Sequence, residues 1–401
     1  MRILVLHNTY RETGGEDVVV ARECELLRAN GNEVCLLAVS NASVRSTWDK
    51  VKVAVQVPYS PAAREQVAAT IASFRPDVAH VHNFVPLLSP AAYDACWAAS
   101  VPTVQSLHNY RLMCANGLFL RDNSVCEDCC GRLVPWPGVL YACYRGSRGA
   151  SAAVATMLVI HRLRGTWADK VGVYIALTEF ARAKFIQGGI PASKIVVKPN
   201  FVSPDVGPGE GSGGYALYVG RLAPEKGVTT LVQAWEGLGK AVPLRIVGEG
   251  PLAAEVAAAA ARIPGVDWLG RQPPERVLRL MKDALVLVCP SVCYEAFPLV
   301  VVEAYSAGLP VIASDHGSLS SLVDHGRTGL RFRVGSPADL AACVMWLSEH
   351  AQVRNDMAQE ARREFERRYT PQRNYQELMR AYAVAMGRTP GPSLEDHGKP
   401  T

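Results

Sequence analysis

The sequence predicts an α/β protein built from two parallel-sheet domains in series, and three observations carry that prediction. Short apolar runs at residues 2–6, 34–39, 78–81 and 101–107 alternate with helix-length amphipathic or alanine-rich stretches, the pattern of βαβ units. The alternation restarts after the turn-rich stretch SPDVGPGEGSGG at 203–214, with runs at 215–219, 244–247, 285–289 and 311–314. That stretch reads as an interdomain linker. A chain of 401 residues, 49% apolar and 20% charged, suits two or three globular domains and makes disordered, collagen-like or coiled-coil architectures poor explanations. Parallel sheets place ligands at the carboxyl ends of their strands, so the cleft between the domains is the expected site.

The opening run, 2–6, is too short for a signal-peptide core and has no small-residue cleavage pattern after it. The longest weakly polar run, 149–160, stops at His161, short of the roughly 20 residues needed to span a bilayer. A cytoplasmic protein is expected. The net charge of +5 is unevenly placed, because residues 130–200 carry ten Lys or Arg against only Asp169 and Glu179. Such a stretch can meet nucleic acid, an anionic membrane surface or a phosphorylated substrate. A solvated basic face is the plain alternative.

In the second half, the run 215–219 ends at Gly220 and delivers Arg221 and Lys226 into the loop GRLAPEKG, from which both cations can reach one diphosphate. The run 244–247 leads into GEGPLA, a G-x-G-x-x-A match through Gly248, Gly250 and Ala253, with Asp267 downstream. These glycines suit a phosphate loop of a nucleotide-sugar enzyme, and also a nicotinamide-binding turn. In YEAFPLVVVEAYSAGLPVIASD, 294–315, Pro298 suits the first turn of a helix, and Gly308 with Pro310 stops it. Glu295 then precedes the helix and Glu303 lies inside it. A helix amino terminus attracts an anion, and a neighbouring carboxylate accepts hydrogen bonds from hydroxyls, a combination that fits a ligand part phosphate and part sugar. No Asp-x-Asp pair occurs, so no metal held by that motif can neutralise the phosphates. The guanidinium, the ammonium and the helix dipole must do so. The last helical pattern covers about 361–386, and residues 388–401 read as a flexible tail.

Glu295 and Glu303, separated by seven residues in E-AFPLVVV-E, with GRLAPEKG upstream and AGLPVIASD downstream, resemble the retaining glycosyltransferases of family 4. The resemblance implies the GT-B fold, two Rossmann-like domains facing a cleft. It divides the chain into an acceptor-binding domain at 1–205, with a cysteine-rich insertion at about 111–148, and a nucleotide-sugar domain at 206–365. A terminal helix at 366–387 would cross back to the first domain. By the same resemblance, Arg221 and Lys226 hold the donor diphosphate, Glu303 the ribose hydroxyls and Glu295 the transferred sugar. The backbone of Ala296, Phe297, Pro298 and Leu299 lines the sugar and phosphates. Gly14 and Gly15, in the family's amino-terminal glycine loop, bring backbone N–H groups to the same diphosphate. His108 closes a strand at the cleft edge and positions the sugar, with Asn109 where the family often has Asp.

The implied reaction moves a sugar from a nucleoside-diphosphate sugar to an acceptor hydroxyl with retained configuration and no catalytic metal. Glycan or lipid-linked acceptors, and no nucleic acid, are the expected partners. A GT-B nucleotide-sugar epimerase and a non-catalytic nucleotide-sugar-binding subunit are the alternatives. The segment CANGLFLRDNSVCEDC with YACYRGSR resembles an insertion in a branch tied to capsular and exopolysaccharide synthesis. Its C-x2-C and flanking cysteines, Cys114, Cys126, Cys129 and Cys143, suit a structural zinc, with Cys130 the spare thiol and reduced buried thiols the alternative. Arg145, Arg148, Arg162 and Arg164 flank the apolar run 150–160, which predicts contact with the inner face of the cell membrane.

Overall fold

A computed structural model describes residues 1–10, 14–41 and 46–388. The first domain begins β1 (Arg2–Thr9), α1 (Gly15–Ala29), β2 (Glu33–Ser40), α2 (Thr47–Gln56), α3 (Pro61–Phe74), β3 (Val78–Asn83), α4 (Ala91–Ala98) and β4 (Thr103–Leu107). A small hairpin, β5 (Leu120–Arg121) and β6 (Ser124–Val125), comes next, before α5 (Trp136–Leu140), α6 (Arg148–Leu163) and α7 (Thr166–Asp169). The domain closes with β7 (Val173–Ala176), α8 (Glu179–Gln187) and β8 (Ile195–Val197). Its main sheet has the order β2-β1-β3-β4-β7-β8, every pair parallel. Helices cover both faces, so β3 and β4 are buried at every residue, whereas the edge strand β2 is partly exposed.

The second domain repeats the plan with β9 (Ala216–Val219), α9 (Val228–Leu238), β10 (Leu244–Val247), α10 (Ala253–Arg262), β11 (Val266–Trp268) and α11 (Pro274–Asp283). It continues through β12 (Val286–Cys289), α12 (Leu299–Ser306), β13 (Val311–Ser314), α13 (Gly317–Leu322), β14 (Gly329–Phe332) and α14 (Pro337–Glu349). The sheet order is β11-β10-β9-β12-β13-β14, again all parallel. In both sheets the strand order reverses beside the first strand, which opens a crevice at the carboxyl ends of β1 and β9.

The single final helix expected over 361–386 is two helices, α15 (Ala351–Arg368) and α16 (Pro371–Ala385). Pro371 has no N–H with which to continue α15, and the Thr370 hydroxyl accepts the amide of Arg373 at 3.4 Å to start a new helix. The turn redirects α16 onto the first domain. There Asn374 Nδ2 donates to the Pro199 carbonyl at 2.9 Å, and Tyr382 Oη lies 2.9 Å from His80 Nδ1. One buried apolar cluster runs from Ile3 and Val5 through Leu378 and Tyr382 to Leu217 and Tyr305, so α16 joins the two cores. Of the expected tail only Arg388 falls among the described residues; 389–401 lie outside them.

Candidate active site

The carboxyl ends of the two sheets face each other across a cavity of about 410 Å³. The first domain contributes Gly14, Gly15, Glu16 and His108; the second contributes Arg221, Lys226, Ser291, Glu295, Phe297, Pro298 and Leu299. Ala296 and Glu303 flank these residues without lining the cavity.

Lys226 and Glu295 form an ion pair at 2.5 Å, and Ser291 Oγ donates to the same Glu295 Oε1 at 2.6 Å. Burial would raise the Glu295 carboxyl, but Lys226, Ser291 and His316 together hold it below the usual carboxylate range. Burial likewise opposes charge on Lys226, and Glu295 more than compensates, raising the ammonium. Glu295 Oε2 makes no hydrogen bond among the described residues. Gly227 allows the pair to form: its φ is +69°, and a Cβ there would lie 1.8 Å from the Pro290 carbonyl oxygen. Without a side chain at that position, the loop carrying Lys226 packs directly on the loop carrying Ser291 and Glu295. Arg221 sits at the rim, largely exposed, 3.7 Å from Glu225.

The amino terminus of α1 opens on the cavity at Gly14 and Gly15. A Cβ on either glycine would meet its neighbours no closer than 3.6 Å, so packing within the protein does not require glycine there. Gly248 and Gly250 do not line the cavity. A Cβ on Gly248, whose φ is +143°, would lie 1.9 Å from the Gly220 carbonyl oxygen; one on Gly250 would lie 2.4 Å from that of Leu222. These glycines let the β10–α10 turn clasp the segment that presents Arg221, with Leu222 N donating to Glu249 O at 2.9 Å. Glu303, on α12, lies 3.7 Å from Arg22 of α1 across the domain gap. Burial raises its carboxyl, and Arg22 offsets only part of that effect.

Behind the cavity wall runs a buried polar chain. His108 Nε2 lies 2.9 Å from His82 Nδ1, and His82 Nε2 lies 3.3 Å from Glu23 Oε1. Lys198 Nζ donates to Glu23 Oε2 at 3.0 Å, and His80 Nδ1 approaches Oε1 at 3.2 Å. Burial would raise the Glu23 carboxyl, yet Lys198, His80 and His82 hold it well below the usual range. Burial pushes His82 down to about 3 and lowers His108 as well, so both rings are neutral near pH 7. Glu23 Oε1 and His82 Nε2 lie within ion-pair reach but are not aligned as a hydrogen bond, so the carboxylate acts on the ring through its charge, which favours the proton on Nε2. His82 Nδ1 then accepts from His108 Nε2–H, which leaves His108 Nδ1 as a lone pair. Glu23, His80 and His82 also present ligand atoms within 4.8 Å of one another, but the Lys198 ammonium already supplies their counter-charge.

Glu16 directly follows the two glycines of the amino-terminal loop. It lines the cavity and accepts a hydrogen bond from Tyr10 Oη at 2.8 Å. Burial pushes its carboxyl up to about 7 against the pull of Tyr10, Arg111 and Asn109. Its type and position alone carry no signal of that shift.

Residues 14–200 match the family described as glycosyl transferase 4-like domain, and residues 209–364 match glycosyl transferases group 1. The phosphatidyl-myo-inositol mannosyltransferase of Mycobacterium leprae is 26% identical over 95% of this chain and 96% of its own length. The D-rhamnosyltransferase WbpZ of Pseudomonas aeruginosa is 34% identical over 39% of this chain, and the D-inositol 3-phosphate glycosyltransferase of Nocardia farcinica 38% identical over 31%. The chain spans only 42% and 30% of the lengths of those two relatives. In structure the fold is similar to sucrose-phosphate synthase from Thermosynechococcus elongatus, with TM-score 0.70 and 16% identity over 96% of this chain and 100% of that one. Anabaena HepE in complex with UDP and glucose is similar at TM-score 0.67 and 18% identity, over 94% and 98%. The two facing Rossmann-like domains are thus the GT-B arrangement.

Proposed function

Because the chain consists of a glycosyl transferase 4-like domain followed by a glycosyl transferases group 1 domain, we propose that it is a retaining glycosyltransferase. It moves a hexosyl group from a nucleoside-diphosphate sugar to a hydroxyl of a lipid-linked or polysaccharide acceptor in surface-glycan synthesis. The observation that carries this reading is the Lys226–Glu295 pair, a cation and a carboxylate side by side on the wall opposite the amino terminus of α1.

Lys226, Arg221 and the α1 amino terminus bind the diphosphate and stabilise the charge that develops on it as the sugar leaves. Glu295 Oε2 accepts a sugar hydroxyl, and Glu303 accepts those of the ribose. His108 Nδ1 accepts another sugar hydroxyl in an orientation held by His82 and Glu23. The acceptor oxygen bonds to the anomeric carbon on the face that the phosphate leaves. The carbon–oxygen bond to the diphosphate breaks, and a phosphate oxygen takes the acceptor's proton. Such a step rests on orientation and charge stabilisation and needs no protein nucleophile.

The acceptor comes from the inner face of the membrane. Supporting this, α2 exposes Trp48 (77%), Val51 and Val55 (73%) beside α6, and α5 adds exposed Trp136 and Leu140 around an apolar groove rimmed by Arg148. Arg145 and Arg164 are exposed on the same segment. Arg162 is not available to lipid, because its guanidinium donates to the carbonyls of Arg132, Leu133 and Leu112. Five of the eleven residues of the run 150–160, namely Ser151, Val154, Ala155, Met157 and Leu158, are likewise spent in the core. Among the described residues, no helix is long and apolar enough to cross a membrane.

Nucleoside-diphosphate release measured with and without a lipid-linked glycan acceptor tests the reading. Acceptor-dependent release with the sugar recovered on the acceptor supports transfer. Interconversion of donor sugars without acceptor means an epimerase, and binding without turnover means a binding subunit.

A further inference from the structure

Between β4 and α6 lies a segment with little regular structure beyond the β5–β6 hairpin and α5. Turns set the backbone at its cysteines: Cys126 N donates to Phe119 O at 2.8 Å, Arg132 N to Cys129 O at 3.3 Å, and Cys143 N to Gly138 O at 3.0 Å. Cys114, Cys126, Cys129 and Cys143, distant in sequence by up to 29 positions (143 minus 114), line one cavity of about 10 Å³. Cys130, adjacent to Cys129, does not line it and lies instead near Glu127 and Lys184. All five thiols are free.

We propose that Cys114, Cys126, Cys129 and Cys143 bind one zinc ion as a closed four-thiolate site that holds this segment in its fold. On binding, each thiol gives its proton to solvent, and four zinc–sulfur bonds replace four S–H bonds with no change of oxidation state. The resulting site carries a charge of −2 and needs cationic neighbours. Arg121 lines the cavity, and Arg162 lies close enough to Cys129 to feel its charge. The amides of Asn116, Gly117, Leu118 and Phe119 surround the Cys114 sulfur and can donate to it. No three of the sulfurs stand within 4.8 Å of one another. Zinc–sulfur bonds of about 2.3 Å would draw them to roughly 3.8 Å apart, a closure that side-chain rotation about Cα–Cβ supplies. A cavity this small leaves no room for a substrate, so the site is structural. The inference does not depend on the donor chemistry.

The test is elemental analysis of tag-free, freshly reduced full-length protein expressed with zinc in the medium. One zinc per chain is expected, retained by Cys130→Ser and lost by Cys126→Ser and by Cys129→Ser. Should those two variants fail to fold, wild-type protein treated with a mercurial should release one zinc per chain into a colorimetric chelator. Cobalt reconstitution should also give the thiolate-to-metal charge-transfer bands of a tetrahedral sulfur site. Wild-type protein without zinc, a mass two hydrogens lighter from a disulfide among the four, or equal zinc loss in Cys130→Ser would each overturn the proposal.

Discussion

The imidazole of His108, at the cavity wall, meets that of His82 nitrogen to nitrogen at 2.9 Å, and Glu23 stands 3.3 Å behind His82. Asn109 occupies the position from which a carboxylate would be expected to assist His108. A carboxylate stands on α1 instead, separated from His108 by a second ring.

That relation makes His82 a positioning residue. His82→Asn should lower kcat about tenfold, a loss of about 1.4 kcal/mol, with little change in the donor KM. The nitrogen-15 signals of His108 should shift from a single tautomer toward a mixture. An unchanged His108 spectrum together with normal kcat would remove His82 from the mechanism.

Lys226→Ala should weaken donor binding by up to about 3 kcal/mol, because it deletes a charge-assisted contact to the diphosphate and leaves Glu295 buried without its cation. Titration calorimetry with the nucleoside diphosphate measures the loss directly. Full affinity in the variant would move the diphosphate elsewhere. Glu303→Gln, by contrast, should raise the donor KM more than it lowers kcat; a collapse of kcat at normal affinity would give Glu303 a chemical role.

Glu16 supplies the pH dependence. Its proton is held up to about pH 7 in the folded chain and released near the ordinary value of 4.5 when unfolded. Folding therefore takes up a proton between those values, and this residue's contribution to stability falls as pH rises through that window. The ionised carboxylate also repels a diphosphate, so donor KM should rise as pH passes about 7. Glu16→Gln should flatten both profiles, and identical profiles in variant and wild type would rule the residue out as their source.

Vesicle co-sedimentation addresses the acceptor face. Binding to phosphatidylglycerol-containing vesicles should weaken with salt, with Arg148 and Arg164 each contributing about 1 kcal/mol. Trp48→Ser and Val55→Ser should weaken it further while leaving acceptor-independent donor hydrolysis intact. Retention of vesicle binding when Arg148→Gln, Arg164→Gln, Trp48→Ser and Val55→Ser are combined would clear this surface of the role.

The sequence by itself determined the α/β class, the restart of the pattern after the linker, and the paired elements GRLAPEKG and E-AFPLVVV-E that meet in the cavity. These were legible because hydrophobic period and glycine or proline punctuation act over a few residues. What required side chains from distant segments was decided only in three dimensions. Glu23 is one of many glutamates along the chain until Lys198, His80 and His82 close around it; Glu16 becomes a group titrating near 7 only once burial strips its solvent. Gly248 and Gly250 looked like a phosphate loop because a G-x-G pattern records that Cβ atoms are excluded, not what excludes them. Here it is the backbone of Gly220 and Leu222. Arg162 likewise read as a free charge, and only folding could assign its donors to three carbonyls, because a guanidinium's partners are set by whichever groups packing leaves within reach.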